Sequence, residues 1–266
     1  MSSETAIEDG RETVFSVDSL SKSFGGLSAV DGATFDVDRG RITGLIGPNG
    51  AGKSTIFNLV SGFLNADSGT VRFDGQEVTG MEPHELVERG MVRTFQSART
   101  LEEMTVRENL ALAAKQPTGE RFLNAVTPRL RDRVLSGDRA VHERVDELLD
   151  LFDLDHLADE LGKNLSGGQR KLLVLSRALI TDPEMLLLDE PFAGVNPTLA
   201  NRLIEHLESL RNDGYTILLV EHDMEVVMNH CDYVVVLHQG RVLAEGPPES
   251  IRDNETVIEA YLGGDV

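Results

Sequence analysis

The sequence has a single cysteine, Cys231, in 266 residues, which excludes an internal disulfide. A lone cysteine in a chain this long reads as a small buried hydrophobe rather than a reactive thiol. Lysine is also scarce. Five positions, Lys22, Lys53, Lys115, Lys163 and Lys171, make up its share of 25 basic residues, against 45 acidic ones and a net charge of −20. This balance argues against broad electrostatic binding to nucleic acid or to an anionic membrane surface. An excess of acids with few lysines, spread along the chain, also resembles proteins of salt-loving organisms. Long apolar runs are missing: none approaches the roughly 18 residues of a membrane span. The first 12 residues are acidic and polar, without the basic start and apolar stretch of a secretory signal. The protein is therefore expected in the cytoplasm, docked onto another chain if it serves a membrane process.

With 40% apolar residues the chain can build a substantial core without disulfide or metal staples. Residues 1–12 read as a frayed tail. Val14–Val17 and Ala33–Val37 alternate like half-exposed strands, and Thr70–Phe73 followed by Asp74-Gly75 reads as a strand and turn. These predict a small antiparallel layer. From about 100 to 160 the chain is expected to be mostly helical, with Val141, Val145, Leu148, Leu149 and Phe152 on one face. The stretch Gln116–Gly137, with two prolines and two glycines, reads as loop-rich. Met185–Leu188 and Thr216–Val220 are unbroken apolar or β-branched runs, as in buried parallel strands. A helix over Pro197–Arg211 between them makes a βαβ unit. Tyr233–Leu237 is a further strand, and His238–Arg241 reads as a hairpin turn.

The densest chemistry lies at Gly47-Pro48-Asn49-Gly50-Ala51-Gly52-Lys53-Ser54-Thr55, which matches G-x-x-x-x-G-K-[ST]. Glycines let the backbone curl so that several N–H groups point inward at phosphate oxygens. A following helix aims its positive end at the same charge. Lys53 is then placed to reach the β- and γ-phosphates, and the Ser54 hydroxyl to ligate Mg²⁺. The flanks fit: Arg41–Ile46 reads as a strand and Ser54–Ser61 as a helix stopped near Gly62. The plain alternative is a chance glycine-rich turn.

Met185–Leu188 runs into two carboxylates, Asp189 and Glu190. Ligands of open α/β sheets sit beyond the carboxyl ends of the strands. Asp189 is placed to hold Mg²⁺, directly or through water, and Glu190 to polarise an attacking water as general base. A solvated acidic loop after a core strand is the plainer reading. Further on, Leu165-Ser166-Gly167-Gly168-Gln169 opens a helix expected to run to about Ile180. Ser-x-x-Gln is a capping-box pattern, so Ser166 and Gln169 can simply cap it. Two adjacent glycines lower helix propensity and strip side chains from the helix start. That arrangement suits a phosphate approaching bare N–H groups. The cradle already holds one nucleotide, so a second anion site points to a second nucleotide or to another molecule's.

With these three motifs in this order, the chain resembles the ATP-binding cassettes of ABC transporters, whose signature pentapeptide is Leu165–Gln169. The match covers nearly the whole chain. It implies an α/β fold: a P-loop NTPase (RecA-like) core within 13–246, a small antiparallel β layer, an inserted α-helical subdomain near 97–160 and a C-terminal helical tail at 247–266. It implies ATP and Mg²⁺ as cofactors. It also implies a head-to-tail pair of cassettes, in which Ser166, Gly167, Gly168 and Gln169 of each complete the γ-phosphate site on the other's cradle. By the same resemblance Phe24 stacks on the adenine, where the family more often has tyrosine. Gln96 touches Mg²⁺ and the attacking water, and His222 contacts the γ-phosphate. The plainer readings are a core phenylalanine, a surface glutamine and a histidine satisfied at a strand end. Asn196 departs from the family, which often has aspartate there.

Several stretches resemble more specifically the branched-chain amino acid importer subset: Phe24–Leu27, Arg93–Gln96, Glu103–Leu110, Glu221–Met224 and the tail over 246–263. That resemblance implies a second cassette, identical or paralogous, transmembrane permease subunits and, indirectly, an extracytoplasmic solute-binding protein, with the cassette peripheral on the inner face of the cell membrane. Urea or short-chain amide importers, a lipopolysaccharide exporter and a cytosolic cassette serving iron–sulfur assembly are the alternatives within the superfamily.

Overall fold

The computed structural model describes residues 12–94, 100–114 and 128–262, leaving aside the side chains of 128–138 and 262. The chain divides into two compact units. The first comprises Met1–Arg93, Glu184–Phe192 and Leu207–Val266, and the second Thr94–Pro183 and Ala193–His206. The second is wider than the helical segment expected near 97–160.

The first unit carries two sheets. In the smaller, β1 (Thr13–Phe24) pairs with β2 (Leu27–Asp38) and with β4 (Ser68–Phe73), which pairs with β5 (Gln76–Glu77), all antiparallel. β1 and β2 meet at Gly25-Gly26, with φ of 54° and 89°, the double positive φ that a two-residue hairpin turn demands. The strands expected at Val14–Val17 and Ala33–Val37 are parts of these longer ones. β1 continues past Val17 through register shifts around Leu20, which break the two-residue alternation that periodicity reads.

The larger sheet has the order β10-β9-β3-β8-β7-β6. β3 (Ile42–Ile46), β6 (Met91–Arg93), β7 (Met185–Asp189), β8 (Thr216–Val220) and β9 (Tyr233–His238) run parallel. β10 (Arg241–Gly246) folds back on β9 through Gln239-Gly240, again with both φ positive. Every residue of β3 and β8 is buried, which is why these runs show no polar alternation. Leu45 of β3 and Leu218 and Val220 of β8 join Phe15, Phe35, Ile56, Phe57 and Leu187 in one core. α1 (Lys53–Val60) contributes Ile56 and Phe57 to it, and α2 (Pro83–Glu88) adds Leu86. α7 (Met224–His230) lies so close to β3 that a Cβ on Gly44 would sit 2.8 Å from Val227 Cγ1 and 3.0 Å from Cys231 Sγ. Cys231 is buried there, and burial pushes its thiol up. Two short helices, α8 (Pro248–Arg252) and α9 (Glu255–Leu262), end the described chain.

In the second unit, α3 (Val106–Ala113) starts with a capping box between Thr105 and Glu108. Asn109, fully buried, ties down the preceding loop: its amide donates to the carbonyls of Leu101, Met104 and Thr105 and accepts from Leu101 N. α4 (Pro128–Leu151) corrects one expectation. Residues 128–137 are helix, not loop, because a proline at the first helical position costs no hydrogen bond and presets φ. Residues 116–127 lie outside the described chain. Val145, Leu148, Leu149 and Phe152 are buried, as an amphipathic face requires. α5 (Gly167–Leu179) follows. α6 (Pro197–Asn212) belongs to this unit as far as His206.

Candidate active site

β3 delivers the chain into the glycine-rich loop. Gly47 allows no side chain, since a Cβ would lie 2.2 Å from the Leu237 carbonyl oxygen. Gly52 is left-handed (φ 103°), and its Cβ would meet the Ala29 carbonyl oxygen at 2.5 Å. Backbone crowding from β9 and β2 therefore requires glycine at both ends of the curl. Gly50, at φ 81°, faces open space. α1 begins at Gly52 with no side-chain cap and no acid in its first turn, so its leading amides and positive end remain available to an anion. Lys53 is 9% exposed, and its ammonium donates to the carbonyls of Gly47 (2.6 Å) and Pro48 (3.1 Å). Burial lowers its pKa, and the negative charge of Glu190 opposes that shift. Ser54, Asn49 and Gly50 are exposed, while Ala51 is buried and Pro48 and Thr55 lie between.

Asp189 ends β7 and pairs in register with Val220 of β8. Its Oδ2 accepts from Arg93 Nη2 at 2.7 Å, in a pair whose side chains are 10% and 14% exposed. Arg93, the last residue of β6, also donates to Asn58 Oδ1 (2.8 Å) and Ser61 Oγ (2.7 Å) of the α1 region, and its guanidinium lies over the rings of Phe57 and Phe63. Glu190, directly after Asp189, adopts a left-handed φ of 47° while its N–H donates to the Val220 carbonyl. Such a conformation is uncommon for a residue with a side chain and clusters at functional corners. Beyond β8 stand Glu221, 1% exposed, and His222, whose side chain is 60% exposed. Glu221 accepts from the N–H of Phe192 (3.0 Å) and of His222 (3.2 Å). Burial raises its pKa, and those two hydrogen bonds work against the rise.

In the second unit, Ser166 caps α5 in a reciprocal box. Its hydroxyl accepts from Gln169 N (3.3 Å), and Gln169 Oε1 accepts from Ser166 N (2.8 Å). The capping pattern is thus real. It leaves the amides of Gly167 and Gly168 as the helix's leading donors. The two glycines differ. A Cβ on Gly167 would meet nothing within 4 Å, while one on Gly168 would lie 2.4 Å from Leu199 Cδ2. Bareness at Gly168 is therefore set by packing against α6. Asn196 Oδ1 accepts from Leu199 N at 2.9 Å, so it caps α6 as well as aspartate would.

Phe24 stands at the β1–β2 tip, 47% exposed, with Lys22 Nζ 5.7 Å from the ring centre; it is no core residue. Gln96 lies outside the described residues. Sequence reasoning assigned nothing to Arg93 or Glu221 individually. The signal for Glu221 is a carboxylate placed directly after a fully buried strand. Arg93 gives none, because its partner is 96 positions away.

Cradle, strand-end acids and sheet order together define an ATP-binding cassette, and the chain belongs to the ABC transporter family. The family model described as ABC transporter matches residues 30–193, and that of the branched-chain amino acid ATP-binding cassette transporters matches residues 241–266. A probable branched-chain amino acid transport ATP-binding protein LivG of Archaeoglobus fulgidus is 43% identical over 250 residues, 94% of this chain and 95% of that one. The high-affinity LivG protein of Escherichia coli is 40% identical over 258 residues, 95% and 98% of the two chains. A crystal structure of an ABC transporter cassette in its ADP conformation superposes with a TM-score of 0.79 at 38% identity, over 95% of this chain and 99% of the other. Within the family, then, this chain falls among the LivG-like ATP-binding subunits of branched-chain amino acid transporters.

Proposed function

We propose that this chain hydrolyses Mg²⁺-ATP to drive import of branched-chain amino acids, as one of two cassettes beneath transmembrane permease subunits supplied by an extracytoplasmic binding protein. The observation that carries the reading is the uncapped start of α1 beneath a curled glycine loop, with Lys53 inside it and Glu190 near enough to perturb it electrostatically. The oxygens present suit Mg²⁺: the exposed Ser54 hydroxyl and the Asp189 carboxylate, whose Oδ2 is paired with Arg93. Among those residues no cluster of three or more acids, histidines or cysteines forms a metal cage, which accords with an ion held largely by phosphates and water. When bound, the ion neutralises charge on the β- and γ-phosphates.

In this reading the loop amides and Lys53 hold the triphosphate, and Phe24 offers an exposed ring for the adenine. Glu190, turned by its left-handed backbone, accepts the proton of the attacking water, and His222 reaches the γ-phosphate. Ser166, Gly167, Gly168 and Gln169 serve the partner cassette, closing its site and excluding water. Gln96, carried over from the family resemblance alone, touches Mg²⁺ and the attacking water and links the nucleotide to the helical region that acts on the permease. A peripheral place on the inner membrane face, against the permease, follows from membership of the transporter family; among the described residues no helix is long and apolar enough to cross a membrane.

Glu190→Gln is the decisive variant. Turnover is expected to fall about 10²–10⁴-fold, roughly 3–5 kcal/mol of barrier, with ATP still bound. In vesicles carrying the whole transporter, leucine uptake should stop. Undiminished turnover would remove Glu190 as the base. The excess of acids over lysines supports a source living in concentrated salt. In about 1 M KCl, where surface charges are screened over about 3 Å, the unfolding midpoint should then rise. A flat or falling midpoint would count against that reading.

A further inference from the structure

We infer that Glu221 is a positioning residue for hydrolysis, a single buried carboxylate from which both the Glu190 corner and His222 hang. This rests on the proposed roles of Glu190 and His222.

β7 and β8 are neighbours in register up to Asp189 and Val220, and both chains leave the sheet at the next residue. The inter-strand ladder holds them one step further, through Glu190 N donating to the Val220 carbonyl. The Glu221 side chain takes over where it ends. One oxygen, Oε1, accepts from the N–H of Phe192, two residues past Glu190, and the other, Oε2, accepts from the N–H of His222. Glu190 is thus held at its own amide by the strand and, two residues on, by the carboxylate. His222 is held by its backbone N–H, and its ring Nδ1 lies 3.8 Å from the same Oε2, while the side chain stays largely exposed.

A carboxylate at 1% exposure is an expensive way to fill a strand end. An apolar residue would suit the surrounding core better, and burial does push the group toward its neutral form. The geometry explains why it is tolerated. Two backbone N–H groups on separate loops need acceptors, and only a forked acceptor-only side chain serves both at once. A threonine or serine hydroxyl at this position has one oxygen and a shorter reach. A glutamine can serve one amide with its oxygen but turns an NH₂ donor toward the other.

The test uses the full chain assembled with its membrane partners. Glu221→Gln keeps the shape and removes one acceptor. ATPase turnover is expected to fall by about 10²-fold, the scale of an angstrom-sized misplacement of catalytic groups. KM for ATP should stay within about threefold, because the cradle is untouched. Turnover equal to wild type, or a loss carried by KM, overturns the inference. A cycle with His222→Ala separates positioning from general damage. If Glu221 acts through His222 and the Glu190 corner, the double variant loses far less than the product of the two single losses; fully multiplicative losses overturn it. If Glu221→Gln does not fold, the wild-type protein still decides. Amide exchange at Phe192 and His222 should be slowed by on the order of 10²-fold relative to an unstructured peptide, and unprotected exchange at either amide breaks the tie. Glu190→Gln is the control: normal turnover there sinks the hydrolytic reading itself, whereas its loss beside a normal Glu221→Gln sinks only the brace.

Discussion

Among the described α-helices, α1 has Gly52 as its cap and α5 has Gly167 as its first residue, and the two start differently. α1 has no side chain at its cap, and its glycines are demanded by neighbouring backbone, Ala29 and Leu237 carbonyls at 2.5 and 2.2 Å from where a Cβ would be. α5 caps itself with Ser166 and Gln169, and its glycines face open space at one position and a leucine side chain at the other. The first start leaves its donors for a ligand. The second satisfies its own backbone and offers just its two foremost amides. A chain that must be stable before its mate arrives can expose the second kind of corner at little cost.

The comparison can be broken. Gly52→Ala should have the larger effect, since both a positive φ and a backbone oxygen oppose it. ATP affinity of the isolated chain is expected to drop about tenfold to 100-fold, matching about 1–3 kcal/mol of local strain. An equilibrium titration with unchanged affinity would show that the loop can reshape, and the contrast would fail. The α5 pair sharpens it. Gly168→Ala pushes against a flexible leucine end and should cost about 1–2 kcal/mol of stability. Gly167→Ala meets nothing and should be neutral or stabilising by about 0.5 kcal/mol. Neither should change ATP binding by the isolated chain, and both should slow ATP turnover of the assembled transporter. A Gly168→Ala protein as stable as wild type would mean that the Leu199 contact does not set the residue there.

Much of this was legible beforehand where chemistry and backbone coincide within a few residues. The loop from Gly47 to Thr55 is spelled out by consecutive positions, and the buried strands β3, β7 and β8 announce themselves as unbroken apolar runs. What stayed hidden depends on contacts between distant positions. Nothing near Gly168 says that Leu199 will pack on it, and nothing near Arg93 says that it will grip Asp189 while stacking on Phe57 and Phe63. β1 was read too short because its register shifts spoil the alternation. Pro128 was read as a loop signal, although the same residue is at home at the start of a helix. The capping box at Ser166 was readable and is formed, but its presence does not decide between a cap and an anion corner, because a cap made by the serine and glutamine still leaves the two foremost amides without an intrahelical acceptor.

The Lys53 ammonium, held between the Gly47 and Pro48 carbonyls, has a consequence for how fuel is taken up. A loop of this shape would ordinarily have to be ordered at the moment of binding, and that entropy would be subtracted from affinity. Here the curl is pinned beforehand by its own cation. An arriving triphosphate therefore exchanges partners with a preformed nest instead of organising one, and capture should be governed by encounter rather than by loop rearrangement.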